Sequence, residues 1–240
     1  MSFNTSFTKE NLNTYLKELA KEFRKLNGTT MPAEIILVGG ASILANYGFR
    51  EMTYDIDAVI HSSTVMKEAI NHVGDKFGLP NRWINTDFQK TSSYSSKLSE
   101  ISVYYKTFSN ILTVRTVAAE YLIAMKLMSG RQYKNDLSDV VGILIEHQKN
   151  DNPITKEMIY RAINVLYGDF AKLSNIASKF IEEVISSGEY ERVYNEIRDN
   201  EKQSKDILLD FAKDYPQILK ESNIDSILEQ AKQKQRENKT

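Results

Sequence analysis

With 240 residues the chain can bury a full core in one or two domains, and its apolar and charged fractions, 41% and 26%, are those of an ordinary globular protein. Its 31 Lys and Arg against 32 Asp and Glu leave a formal charge of -1, which removes any overall pull toward nucleic acid and leaves only a local basic patch as a route to it. The absence of cysteine excludes disulfides and thiolate chemistry, and no apolar run approaches membrane-spanning length. The opening Met1-Ser2-Phe3-Asn4-Thr5-Ser6 lacks the basic and apolar regions of a secretory leader, so a cytoplasmic protein with no membrane partner is expected. His61, His72 and His147 lie far apart in the chain without metal-site spacing.

In chain order, Leu12, Tyr15, Leu16, Leu19, Phe23 and Leu26 recur at helical spacing and predict an amphipathic helix over 8–26, stopped by Asn27-Gly28. A short apolar run over 34–38 predicts a buried strand, followed by a helix over 41–47 that Gly48 ends. A second strand is expected over 53–60, then a helix to about residue 77 with Ser62 or Ser63 as its cap. Gly78-Leu79-Pro80 breaks that helix. The stretch 81–99 has no clear period, and Thr91, Ser92, Ser93, Tyr94 and Ser95 in it read as a hydroxyl-rich loop. Partial alternation over 100–108 and 111–117, with Ser109-Asn110 between, predicts a hairpin. Helices follow over 118–128 and 135–146, separated by Ser129-Gly130. Beyond Asn150-Asp151-Asn152-Pro153 the pattern is wholly helical, over about 154–167, 169–186, 188–213 and 222–236, with a polar tail that is expected to fray. The fold class expected is α/β (α+β), a small mixed sheet flanked by helices over residues 1–150 with an all-helical region over 151–240.

The chemistry concentrates in Leu37-Val38-Gly39-Gly40-Ala41-Ser42 and in Arg50, Thr53 and Tyr54-Asp55-Ile56-Asp57. Strand alternation places the carboxylates of Asp55 and Asp57 on one face with Ile56 on the other. Two adjacent carboxylates repel unless a cation joins them, and a hard divalent ion prefers such oxygen ligands. The glycines let backbone N–H groups approach a phosphate at a helix start, with Ser42 completing a cradle. The plainer alternatives are an ion pair between Arg50 and one Asp, and a tight strand-to-helix turn that Ser42 merely caps. The aromatic residues Tyr104, Tyr105 and Phe108 are expected to pack in a sheet rather than stack on bases.

Gly-Gly-Ala-Ser, a short helix and Arg-x-x-Thr-x-Asp-Ile-Asp together resemble the opening signature of the polymerase-beta-like nucleotidyltransferase superfamily. A second block, Lys126-Leu127-Met128-Ser129-Gly130-Arg131 followed by Asp136 and Asp139, is similar to the Lys…Arg…Asp block of minimal bacterial nucleotidyltransferases, including AbiEii-type toxins of abortive-infection and toxin–antitoxin systems. The resemblance implies transfer of a nucleoside monophosphate from an NTP to an RNA, protein or small-molecule acceptor. It implies two Mg²⁺ ions held by Asp55, Asp57 and a third carboxylate, with Asp87 preferred over Glu100 for that place. Gly39, Gly40, Ser42, Arg50 and Thr53 would bind the nucleotide, with Asp136 beside them. Lys126 and Arg131 would balance charge on the leaving pyrophosphate, the alternatives being a solvated helix end and, for Asp136 and Asp139, acids at a helix start. A second function class is a non-catalytic regulator on the same fold, such as one member of a toxin–antitoxin pair that acts by binding its partner. A third is a nucleotide sensor.

Overall fold

The computed structural model describes residues 6–29, 31–61, 64–169, 172–220 and 223–237. The chain forms two compact units, Met1–Met125 with Glu157–Lys172, and Lys126–Lys156 with Leu173–Thr240.

The first unit holds the sheet. Helix α1 (Lys9–Asn27) starts with a reciprocal cap: Thr8 N–H donates to Asn11 Oδ1 at 2.8 Å, and Asn11 N–H donates to Thr8 Oγ1 at 3.4 Å. It buries the predicted stripe of Leu12, Leu16, Leu19 and Phe23. Strand β1 (Ala33–Leu37) is followed by α2 (Gly39–Asn46), β2 (Ile56–His61), α3 (Thr64–Phe77) and the two-residue β3 (Ile84–Asn85). Strands β4 (Ser102–Phe108) and β5 (Leu112–Val117) form the expected hairpin, turned by Ser109 and Asn110 at φ 51° and 55°. Both residues are left-handed, a conformation that suits Asn better than Ser, and with Ile111 they make a three-residue connection between the paired Phe108 and Leu112.

The sheet order is β3-β2-β1-β5-β4. Strand β1 runs antiparallel to β2 and parallel to β5, and β2 runs parallel to β3. The sheet is therefore mixed and five-stranded. Its centre is the continuous apolar run Ile35-Ile36-Leu37, all fully buried, as a strand covered on both faces requires. Helix α1 packs on α3, and Trp83 seals that layer: its indole N–H donates to the Ile70 carbonyl at 2.9 Å, and its ring stacks on Phe7 with centroids 6.4 Å apart. Ser62 and Ser63, the expected caps of α3, lie outside the described residues. Helix α6 (Lys156–Tyr167) also belongs mainly to this unit, where Tyr167 OH donates to the Ser93 carbonyl at 2.8 Å.

Helix α4 (Ala119–Ser129) carries the chain out of the first unit after Met125. The second unit is helical: α5 (Asp136–Lys149), α7 (Asn175–Ser187), α8 (Tyr190–Asp214) and α9 (Ile224–Glu237), with α5, α7 and α9 each packed on α8. Ser174 caps α7 by accepting from Ala177 N–H at 3.1 Å, which starts that helix later than the periodicity suggests. Among the described residues no helix is long and apolar enough to cross a membrane.

Candidate active site

The turn from β1 into α2 is built from backbone. Gly39 adopts φ +54°, where an L side chain is strained. Gly40 is glycine for a different reason: a Cβ there would meet Thr53 Oγ1 at 2.8 Å and Arg50 Nη2 at 3.0 Å. Val38 N–H donates to the Asp57 carbonyl at 3.0 Å, so the turn is tied to β2. On its other side Ser42 Oγ accepts from Val117 N–H at 3.1 Å at the end of β5. Ser42 is fully buried, and in this structure it anchors α2 to the sheet. The first N–H groups of α2 have no acceptor within the helix and leave a partial positive charge at its start.

The carboxylate of Asp57 stands at that start, with Oδ2 4.0 Å from the position a Gly39 Cβ would take. Asp57 lies in β2 and is half-buried, between the fully buried Ile56 and Ala58. Asp55 is exposed and sits one residue ahead of β2, in the segment that crosses from the Thr53–Phe7 bridge. This corrects the expectation of an unbroken strand over 53–60: pairing with Phe7 takes Thr53, and β2 begins only at Ile56. Thr53 is buried, and its hydroxyl lies 3.2 Å from both the Asp55 carbonyl and Asp55 Oδ1. Arg50 donates from Nε to the Met52 carbonyl at 3.1 Å, which sets its guanidinium over Gly40. Gly39, Gly40, Arg50, Thr53 and Asp57 are thus gathered round one helix start, with Asp55 joined to them through Thr53. Gly40→Ala is expected to push Arg50 and Thr53 out of place and to lower stability by about 1–3 kcal/mol, measured as the urea midpoint, because a Cβ at those distances has to displace both side chains.

Asp87 does not join Asp55 and Asp57 in a group of three acids. The acid lies in the short 3-10 turn Asp87–Lys90, exposed, and bonds Arg82 Nη2 at 2.9 Å and Lys90 Nζ at 3.3 Å. Those two cations hold its carboxyl below the usual range. Glu100 is also exposed, at the end of the turn Ser96–Ser99, just before β4. Among the described residues no three or more His, Cys, Asp or Glu side chains come together as a metal cage. The residue that does stand beside Asp57 on the neighbouring strand is Asn85, its register partner in the parallel β2–β3 pair. Sequence reasoning missed it, because a two-residue strand has no periodicity to read. The hydroxyl-rich loop is partly tied down: Thr91 Oγ1 donates to the Phe88 carbonyl at 2.7 Å, and buried Ser95 donates to the Leu166 carbonyl at 3.0 Å.

The second block folds within the second unit as a buried charge cluster. Lys126 Nζ contacts Asp136 Oδ1 and Asp139 Oδ2, each at 2.8 Å, and Arg131 Nε contacts Asp136 Oδ2 at 2.8 Å. Asp136 is fully buried, Asp139 is 2% exposed and Lys126 is 8% exposed. Burial alone disfavours the charged form of Asp136, but Lys126 and Arg131 outweigh it and keep the carboxyl well below its usual range. Two cations and two anions sum to zero here, so the block brings no net positive charge to a triphosphate. Its geometry is that of a brace between the end of α4 and the start of α5. For Asp139 this goes further than an acid at a helix start: it is an ion-pair member.

Glu201 on α8 is a buried acid that no motif announced. Its Oε1 accepts from Leu137 N–H at 3.1 Å and Ser138 N–H at 3.2 Å, and Oε2 accepts from Ser138 Oγ at 2.6 Å. It supplies the N-terminal cap of α5 from another helix. Burial, with the Asp139 charge adding to it, pushes its carboxyl up to about 7 from an ordinary value of 4.5. The folded chain therefore holds this proton more tightly than the unfolded chain. Its contribution to stability is complete below the unfolded value and is lost as pH rises through about 7. Urea unfolding at pH 5 and pH 8 is expected to show this loss in the wild type and a loss smaller by about 2 kcal/mol in Glu201→Gln, whose neutral amide keeps the two N–H bonds.

A five-stranded mixed sheet, an acid-bearing strand beside its centre and a glycine turn opening a helix against that acid define a nucleotidyltransferase-like protein. The chain belongs to the family DUF6036, described as nucleotidyltransferase of unknown function, whose model matches residues 14–197. Nothing among curated proteins or solved structures matches it.

Proposed function

We propose that this protein is a divalent-cation-dependent nucleotidyltransferase that moves a nucleoside monophosphate from an NTP to an acceptor hydroxyl and releases pyrophosphate. The observation that carries this reading is the meeting of Asp57 with the Gly39–Gly40 helix start under Arg50, in a chain of nucleotidyltransferase family. The donor set is all oxygen: the carboxylates of Asp55 and Asp57, with no third acid grouped with them among the described residues. Mg²⁺ is commonly held by one or two carboxylates with substrate phosphates completing its shell, so the pair fits an ion that arrives with the triphosphate. Such an ion, when bound, neutralises phosphate oxygens. The N–H groups at the start of α2 and the Arg50 guanidinium bind the phosphate oxygens that remain. The acceptor oxygen attacks the α-phosphorus, the bond to the β-phosphate oxygen breaks, and pyrophosphate leaves. Asp55, the exposed acid of the pair, takes the hydroxyl proton. In this reading Lys126, Arg131 and Asp136 hold the fold and do not touch the nucleotide.

The test is incubation with each α-labelled NTP, Mg²⁺ and either total RNA or a protein and small-molecule extract, beside an Asp55→Ala, Asp57→Ala double variant. Labelled product from the wild type alone is the expected result, and the fraction that carries label identifies the acceptor. Equal labelling by the variant would overturn the assignment. That no third carboxylate joins Asp55 and Asp57 among the described residues favours a second reading, a nucleotide-binding regulator that acts on a partner such as a cognate toxin or antitoxin. Nucleotide binding with no labelled product in any fraction would select it.

A further inference from the structure

The place of the third carboxylate is occupied by an amide. Parallel pairing sets Asp57 opposite Asn85, as it sets Ile56 opposite Ile84. Register partners in adjacent strands project on the same face and lie about 5 Å apart, so position 85 is where an acid on β3 would share an ion with Asp57. The register is pinned from both sides. Trp83, 3% exposed, bonds the Ile70 carbonyl and stacks on Phe7, and Ile84 is buried in the core. A slip by one residue would turn Asn85 inward and Ile84 outward.

The amide is also oriented. Asp87 N–H donates to Asn85 Oδ1 at 3.0 Å, which engages one lone pair of the carbonyl end and fixes which end of the amide carries the Nδ2 hydrogens. A neutral amide brings no charge to a second cation, and its NH₂ group binds oxygen anions. Asp87, two residues further on, is paired with Arg82 and Lys90. Two carboxylates carry the charge to balance one divalent ion and not two.

We infer, on the basis of the nucleotidyl-transfer reading above, that Asn85 makes this a one-cation site: a single divalent ion enters with the nucleotide, and the Asn85 amide donates to a substrate oxygen where a second ion would otherwise sit. The two ions implied by the family resemblance are reduced to one by a single residue.

Counting Mn²⁺ by electron paramagnetic resonance, with the four α,β-methylene NTP analogues in saturating excess, tests this without turnover. The wild type is expected to hold one Mn²⁺ per chain-bound analogue, counted after unbound Mn²⁺ and analogue are filtered away. Asn85→Asp is expected to bind two, with the second at least tenfold tighter than any second ion on the wild type. Asn85→Ala, which lacks both ligand types, is expected to keep one, and its thermal melt shows whether β3 still forms. Two ions on the wild type would overturn the one-cation inference and leave nucleotidyl transfer standing. One ion on a folded Asn85→Asp would overturn the role given to position 85. No ion and no analogue bound to the wild type would overturn the transfer reading, and this inference with it.

Discussion

Asp57→Ala is expected to lower nucleotidyl transfer by about 100-fold or more, with folding stability changed by no more than about 1 kcal/mol. The two effects separate because of where the side chain sits. Ile56 and Ala58 carry the core packing of β2, while the Asp57 carboxylate faces the Gly39 turn and the Asn85 strand. Removing it deletes, in the proposed reading, a ligand and half of the charge that offsets a cation, but no buried apolar contact. Its backbone carbonyl, which accepts from Val38 N–H, survives the substitution and keeps the turn tied to β2. Initial rates with the labelled NTP, set beside urea midpoints, measure both quantities on one preparation. A variant that retained wild-type rates would remove Asp57 from the chemistry, and one that unfolded would make it a structural residue.

Lys126→Met is expected to show the reverse, a loss of about 3–5 kcal/mol in stability. Lys126 is almost fully buried and is shared between Asp136 and Asp139, both buried. Taking away the ammonium removes the cation that Asp139 pairs with at 2.8 Å while Asp139 stays buried, and leaves Asp136 to Arg131. The cost is that of the uncompensated charge, not of the contact. Pairing the change with Asp139→Leu removes a cation and an anion together and is expected to restore part of the loss. Denaturant unfolding of the single and double variants reads this directly. If Lys126→Met instead folds as the wild type does and raises the apparent KM for NTP, the lysine belongs to the nucleotide site after all.

These two expectations divide motifs that look alike in the sequence. Lys126, Arg131 and Asp136 have the residue types that bind a triphosphate, and so do Arg50 and the Asp55–Asp57 pair. Side-chain chemistry is visible in a sequence, but the partner that satisfies it is not. A lysine ten residues from an aspartate can meet a ligand or that aspartate, and only the folding of α4 against the start of α5 closes the pair. The same holds for Ser42. It stands where a phosphate-binding serine would, yet Val117, seventy-five positions along the chain, supplies its partner.

Local patterns were the legible part of this protein. Helical spacing in α1, the apolar run of β1, the Ser109-Asn110 hairpin and the glycine turn before α2 each depend on neighbours within a few residues, so the amino-acid order determined them and, through them, the mixed α/β class and the Asp55–Asp57 pair. Tertiary structure decided what depends on distant pairing: the short β3 and its register, the interleaving of the chain between two units, the capping of α5 by Glu201, and the identity of the residue beside Asp57. A two-residue strand carries no signal of its own, since its place is set by Trp83 in the core and by hydrogen bonds to β2. That is why the residue paired with Asp57 is Asn85, in a position only the sheet could assign, while the sequence offered Asp87 or Glu100 as a third acid.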